Sequence, residues 1–273
     1  MSLINDVSED NSKYVLKLQT IQANEFRILI EALKDILNDI NIEFTPDGMK
    51  IITVDGSQTV LVHLKLFAHK FESYFCKHKI IIGVNMTNLY RLIKAMSNDD
   101  ILTLYILEKD ISHLGMTFEN SKLNTIWEHR LKTFDMNDES FGNPEAEFSS
   151  IITLPSQLFQ KIIRDMNSLL DVVEIISIKN QLIFRGTGDY SENKVTICEN
   201  CDGMTFIQND EPDEIVQGYY SLKELILFTK CTNLCPSIEL YLKNNFPIIV
   251  KYTVGDLGEI KLALTPKLNI TVD

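Results

Sequence analysis

Hydrophobic positions along the chain follow two alternating rhythms. Tyr14–Thr20 (YVLKLQT) alternates apolar and polar residues, as a half-buried strand does. Residues 24–40 (NEFRILIEALKDILNDI) then place Phe26, Leu29, Ile30, Leu33, Leu37 and Ile40 at helical spacing, so one stripe of a helix requires a core. Asn24 is positioned to cap that helix by accepting from an early amide. Residues 42–44 and 49–54 read as a hairpin around Pro46-Asp47-Gly48. Strands are predicted over 60–66, 71–75 and 80–83. A second helix is predicted over 86–96 behind the cap Asn85, with Met86, Leu89, Ile93 and Met96 on its apolar side. Strands over 101–106, 114–118 and 125–131 complete a first block.

Residues 132–149 (KTFDMNDESFGNPEAEFS) break both rhythms. They are rich in Asp, Glu, Asn, Pro and Gly and form the best linker in the chain. Their isolated Phe134, Met136 and Phe141 suggest a linker that lies down on a surface. After it the order of elements starts again: a strand over 151–154, then a helix over 156–167 capped by Ser156 with Phe159, Ile162, Ile163 and Met166 inward. A hairpin over 172–178 and 181–185 and a strand over 194–198 follow. Beyond an acidic loop, 210–214, comes a strand over 215–219. The capping box Ser221-Leu222-Lys223-Glu224 then opens a fourth helix, and strands over 237–242, 246–254 and 258–264 close the chain. Phe26 and Phe159 stand 133 residues apart, and the caps Asn85 and Ser221 stand 136 apart. The chain therefore reads as a duplication of element order: a tail over 1–13, a first domain over 14–131, a connector over 132–149 and a second domain over 150–273. Each domain is α+β, with two helices packed on antiparallel sheet.

Charge adds a function class. The chain carries 26 basic and 38 acidic residues, a net charge of -12, which taken globally argues against a simple nucleic-acid binder. Yet each predicted helix exposes a basic pair: Arg27/Lys34, Arg91/Lys94, Lys161/Arg164 and Lys223/Lys230. Any one pair is an ordinary solvated face, and Glu31, Asp35, Asp165 and Glu224 lie on the same helices. Four pairs gathered on one surface of an acidic protein suit a phosphate backbone touched without reading bases. No apolar run approaches the roughly 18 residues of a membrane span, and the polar N-terminus has no secretory pattern.

Five cysteines, at 76, 198, 201, 231 and 235, fit reduced thiols. Cys198/Cys201 and Cys231/Cys235 have the spacing of zinc half-sites, although 29 residues separate them; the plainer reading is small hydrophobes. There is no glycine-rich phosphate loop, no nucleophile elbow and no histidine pair at metal spacing, so no catalysis and no cofactor are expected. A zinc-dependent enzyme built on the four paired cysteines is the alternative class.

Six segments then carry a resemblance: LIEALKDI (29–36), DGSQTVLVHLKL (55–66), GVNMTNLYRLIKAMSNDDILTLYI (83–106), IIRDM (162–166), LFTK (227–230) and FPIIVKYTVGDLGEIKLALTPK (246–267). Together they resemble proliferating cell nuclear antigen, the eukaryotic-type DNA sliding clamp that large DNA viruses also encode. The match is collinear from about residue 14 to residue 267. What the resemblance implies is a homotrimeric ring of six similar domains, an outer β layer, and helices lining a hole threaded by double-stranded DNA. The eight basic residues named above fall on or beside the family's DNA-facing positions. The resemblance also implies subunit contacts through 125–131, with Trp127, and through 193–198, with Lys194, Val195 and Ile197. It implies a pocket for a helical plug at Val54, Leu61, Phe141, Pro247, Leu264 and Pro266, with backbone from Gln58 and Thr265. Asn143 stands where an aliphatic residue is usual and Ala263 where a tyrosine is common. Implied partners are a DNA polymerase, a clamp loader and other clamp-binding-motif proteins, in a nucleus or a viral replication compartment. A subunit of a hetero-oligomeric checkpoint-type clamp is the neighbouring alternative.

Overall fold

The structure is a computed structural model that describes residues 11–136, 146–199, 203–209 and 213–267. In chain order the first half runs β1 (Tyr14–Thr20), α1 (Ala23–Leu33), β2 (Asp39–Thr45), β3 (Gly48–Val54), β4 (Val60–Phe67), β5 (Ser73–Cys76), β6 (Ile80–Asn85), α2 (Met86–Ile93), β7 (Ile101–Leu107), β8 (Asp110–Asn120) and β9 (Thr125–Lys132). The second half runs β10 (Ser150–Pro155), α3 (Ser156–Asn167), β11 (Val172–Ile178), β12 (Gln181–Thr187), β13 (Glu192–Cys198), β14 (Thr205–Asn209), β15 (Val216–Ser221), α4 (Leu222–Phe228), a 3-10 turn (Thr229–Leu234), β16 (Ser237–Leu242), β17 (Ile248–Val254) and β18 (Gly258–Leu264).

The duplication extends to topology. The first half makes a five-stranded sheet ordered β5-β1-β7-β8-β9, and the second makes β14-β10-β16-β17-β18 in the same arrangement. The remaining strands form β6-β2-β3-β4 in the first half and β15-β11-β12-β13 in the second. Antiparallel pairing of β4 with β18 fuses one sheet from each half into a nine-stranded sheet. All strand pairs are antiparallel among the described residues, so one face of each sheet can be buried and the other left open. One hydrophobic core runs through both halves and includes the fully buried Phe26, Phe44, Phe118, Phe159, Phe184 and Phe228. Each such ring removed from water contributes about 1.5–3 kcal/mol before cavity effects.

Local differences from the sequence reading have identifiable causes. The first helix ends at Leu33, short of residue 40, and Leu37 and Ile40 are buried from a turn and from β2 instead. Strand pairing overrides helical spacing here: Asp39 must face Asn85 for β2 to pair with β6, and Asn38 accepts from the amide of Met86. Asn24 lies inside α1, where its side chain accepts from Arg27 Nη2 at 2.8 Å, and Gln22 holds the cap position without a side-chain bond. Ser156 likewise does not cap; its hydroxyl donates to the carbonyl of Cys235 at 2.7 Å. Ser221 occupies the cap position of α4 but makes no capping bond. Asn85 does cap α2, accepting from the amide of Asn88 at 3.0 Å.

The chain leaves each half by the same route. Phe134 exchanges two backbone bonds with Gly83 on β6, at 2.9 and 3.1 Å. A Cβ on Gly83 would stand 2.3 Å from the Phe134 carbonyl, so this crossing requires glycine. In the second half Lys267 donates its amide to Tyr219 on β15 at 2.8 Å.

Candidate nucleic-acid face, outer groove and free edges

The four helices form one layer. α1 packs on α2 and on the turn at 229–234, and α3 packs on α4 and the same turn. Buried stripes face the sheets: Phe26, Leu29, Ile30 and Leu33 on α1, Leu89 and Ile93 on α2, Phe159, Ile162, Ile163 and Met166 on α3, Leu225 and Phe228 on α4. Arg91, Lys94, Lys161, Arg164, Lys223 and Lys230 are exposed on the other side, whereas Arg27 and Lys34 are half-buried.

The eight cations are not equivalent. Arg27 is held by Asn24 at 2.8 Å, by Asn98 at 2.7 Å and by the carbonyl of Met96 at 3.5 Å, which ties α1 to the segment after α2. Lys34 pairs with Asp35 and lies 4.9 Å over the ring of Tyr90, whose hydroxyl donates to Glu31 at 3.0 Å. Lys230 reaches Asp35 from the second half at 3.1 Å. The Asp35 bond raises the Lys34 pKa, against the opposing effect of burial. Burial works against a charged Asp35, but Lys34 and Lys230 together outweigh it and lower its pKa. One carboxylate thus offsets two lysines where the halves meet. Lys94, Lys161, Arg164 and Lys223 have no partner among the described residues, and Arg91 has only a 3.4 Å bond to Asn88. These five are the charges available to an external anion.

On the opposite face of the nine-stranded sheet a cavity of about 620 Å³ spans the junction of β4 and β18. Leu61, Ile151, Ile249, Ala263, Tyr241 and Phe148 supply its apolar lining, with His63, Lys261, Glu147 and Gln208 at its polar side. Phe148 stands edge-on to Tyr241 and Phe246, with centroids 5.3 and 5.6 Å away. The imidazole of His63 is pushed down in pKa by burial first and by Lys261 and Lys50 next, so it faces the groove uncharged near neutrality.

Of the pocket residues expected from the sequence, Leu61 lines this cavity. Leu264 does not: it is 2 % exposed and lies in the main core, because strand pleating turns Ala263 to the groove and Leu264 away. Pro266 lines a separate cavity of about 310 Å³ beside Tyr219 and Asn244. Val54 and Pro247 are half-buried near strand ends, and Gln58 and Thr265 are exposed. Gln58 has φ 59°, in a loop held by Asp55, whose carboxylate accepts from Ser57 and from the amides of Ser57, Thr59 and Val60. Burial opposes that charge, yet these donors win and lower the Asp55 pKa. Phe141 and Asn143 lie outside the described residues. Of the apolar groove residues not anticipated, Ile249, Ile151, Tyr241 and Phe148, only Ile249 carries a legible signal: the run Ile248-Ile249-Val250 is apolar on both faces of β17, as a strand covered on both sides is.

Two of the open edges stand where β18 and β4 stand in the opposite half, except that nothing pairs with them. β9 ends the five-stranded sheet of the first half and carries Ile126 and Trp127, 70 % and 60 % exposed. β13 ends the four-stranded sheet of the second half and carries the exposed Lys194 and Val195, with Ile197 turned inward.

Residues 14–141 match the family described as "Proliferating cell nuclear antigen, N-terminal domain", and residues 142–267 match "Proliferating cell nuclear antigen, C-terminal domain". The chain is 31% identical over 264 residues to "Probable DNA polymerase sliding clamp 1" of Paramecium bursaria Chlorella virus 1, covering 95% of this chain and 100% of that protein. This chain belongs to the proliferating cell nuclear antigen family. Proteins named "Proliferating cell nuclear antigen" from Chaetomium thermophilum and Dictyostelium discoideum are 32% and 28% identical, each over 93% of this chain and over 98% and 100% of their own length. Among the described residues no group of three or more His, Cys, Asp or Glu side chains is placed to hold an ion. Cys231 is wholly buried in the core, where burial pushes its thiol up to about 12, while Cys198 is exposed on β13 and Cys201 lies outside the described residues. Brief alkylation of the native protein at pH 8 is therefore expected to label Cys198 and spare Cys231, read by peptide mass spectrometry. Modification of Cys231 at the rate of Cys198 would contradict its place in the core.

Proposed function

We propose that this chain is a DNA sliding clamp and polymerase processivity factor that works as a ring of three copies around duplex DNA. The reading rests first on family membership, and one structural observation carries it further: an acidic protein keeps its five available helix cations on a single face. Contacts from that face to phosphate oxygens position a duplex without reading its bases, so the protein can translocate along it. Acidic surface elsewhere repels DNA from other approaches.

The free edges supply the closure. An exposed strand edge presents a row of unpaired amides and carbonyls. β9 of one copy and β13 of the next can satisfy each other, and a heterologous contact of this kind closes into a ring when the rotation permits. The groove over the β4–β18 junction is the docking site for a short amphipathic helix from a polymerase, a clamp loader or another replication protein. With Ala263 at a position where a tyrosine is common, it accepts a bulkier apolar plug than it would with tyrosine there. The role is one of tethering, without chemistry on the DNA, in a nucleus or a viral replication compartment. Light scattering of the purified chain tests the assembly: a mass of three chains of 31.3 kDa is expected. A stable monomer, or a trimer formed only with other subunits, would overturn the homotrimer.

A further inference from the structure

The junction inside the chain contains the register of the junction between chains. β9 stands to β18 as a residue to the one 133 further on: Thr125 opens β9 as Gly258 opens β18, and Phe134 and Lys267 make the equivalent exits. β13 stands to β4 in the same way. β3 pairs Gly48 with Phe67 and Val54 with Leu61, and its counterpart β12 pairs Gln181 with Cys198 and Thr187 with Glu192. Each β4 residue therefore corresponds to the β13 residue 131 positions later.

Within the chain β18 meets β4 with Ala263 opposite Leu61, Lys261 opposite His63, Ile260 opposite Leu64 and Gly258 opposite Leu66. Carrying these pairs across by the two offsets gives the contact between copies. Resting on the ring reading above, we propose that β9 and β13 of neighbouring copies pair antiparallel with Arg130 opposite Glu192, Glu128 opposite Lys194 and Trp127 opposite Val195. Charge selects this alignment among its neighbours.

The two offsets follow from strand bounds and backbone bonds, with no reference to charge, yet they set two pairs of opposite charges against each other on the outer face. A slip of two residues one way sets Glu128 against Glu192. A slip of two the other way sets Arg130 against Lys194. Like charges directly opposite destabilise a strand pair, whereas opposite charges stabilise it. A slip of one sets the inward-facing residues of one strand against outward-facing residues of the other, because β8 and β12 already fix the faces of β9 and β13. In the proposed register Trp127 takes the place that Ile260 holds beneath the helices, and Thr125 faces Ile197. The inner-face burial agrees: Leu131 and Ile197 are buried like their counterparts Leu264 and Leu66. On the outer face the two charge pairs replace Leu61–Ala263 and His63–Lys261. The contact between copies thus carries no counterpart of the apolar groove, and it recognises a second copy of this chain rather than a generic strand edge.

Cysteine cross-linking in a Cys198→Ser background tests the register. The pair Glu128→Cys with Lys194→Cys is expected to oxidise into covalent dimers and trimers at least about tenfold faster than Glu128→Cys with Glu192→Cys or Arg130→Cys with Lys194→Cys. Lys194→Glu alone is expected to raise the protein concentration at which the trimer dissociates about tenfold. Adding Glu128→Lys should restore it to within about threefold. Faster cross-linking of either shifted pair, or no rescue by the double reversal in a protein that still forms trimers, overturns the register and leaves the ring standing. A parent chain that stays monomeric at every concentration overturns both.

Discussion

Charge reversal at Arg91, Lys94, Lys161 and Arg164 together is expected to abolish stimulation of a processive polymerase while leaving the fold intact. All four side chains are exposed and none forms an ion pair among the described residues, so each change should alter stability by no more than about 0.5 kcal/mol. Their loss removes about one phosphate contact each. The plot of log affinity against log salt for duplex DNA should become shallower by about four for each copy in contact with the duplex. Added negative charge on the same face makes the residual effect repulsive. Reversing Lys34 is expected to do far less, since Asp35 and Tyr90 already engage it. Unchanged DNA retention in the quadruple variant would mean that the helix face is not where the duplex lies.

The second large effect is expected at the groove. Phe148→Ala removes a ring that stands edge-on to Tyr241 and Phe246 and forms one wall of the apolar lining. Aromatic pairs of this geometry contribute about 0.5–1.5 kcal/mol each beyond their buried area. Binding of an amphipathic helical peptide with aromatic anchors should weaken by roughly ten- to a hundredfold, about 1.4–2.8 kcal/mol, in titration calorimetry. Phe148 belongs to a satellite cluster with Ile249 and Ala263, apart from the main core. Its truncation should therefore cost less stability than Phe159→Ala, for which about 3–5 kcal/mol is expected. Equal peptide affinity in the Phe148→Ala protein would remove the groove as the docking site.

Most strands were legible because alternation is a local property, and the hairpin at 45–48 was legible because Pro46 and Asp47 are turn residues. Element order revealed the duplication even though few side chains match between halves. Non-local information was out of reach. The end of α1 is set by pairing of β2 with β6, a partner some 45 residues away. β14 was not anticipated, because an edge strand with one neighbour and an exposed Ile207 carries no buried stripe. The fusion of the halves through β4 and β18 is likewise invisible in either strand alone. The basic helix positions were legible as a set, but their division into engaged and available charges depends on Asp35, Asn98 and Tyr90 converging from other turns and helices. In the groove, a one-residue difference in pleat separates Ala263 from Leu264, and periodicity alone does not say which face of β18 the second layer covers.

A density map of the assembled particle bound to duplex DNA tests the central claim most directly. Three copies around a central duplex are expected, with Arg91, Lys94, Lys161, Arg164 and Lys223 of each copy lining the bore. A map with these side chains on the outer rim, or with the duplex lying against the groove face, would contradict it.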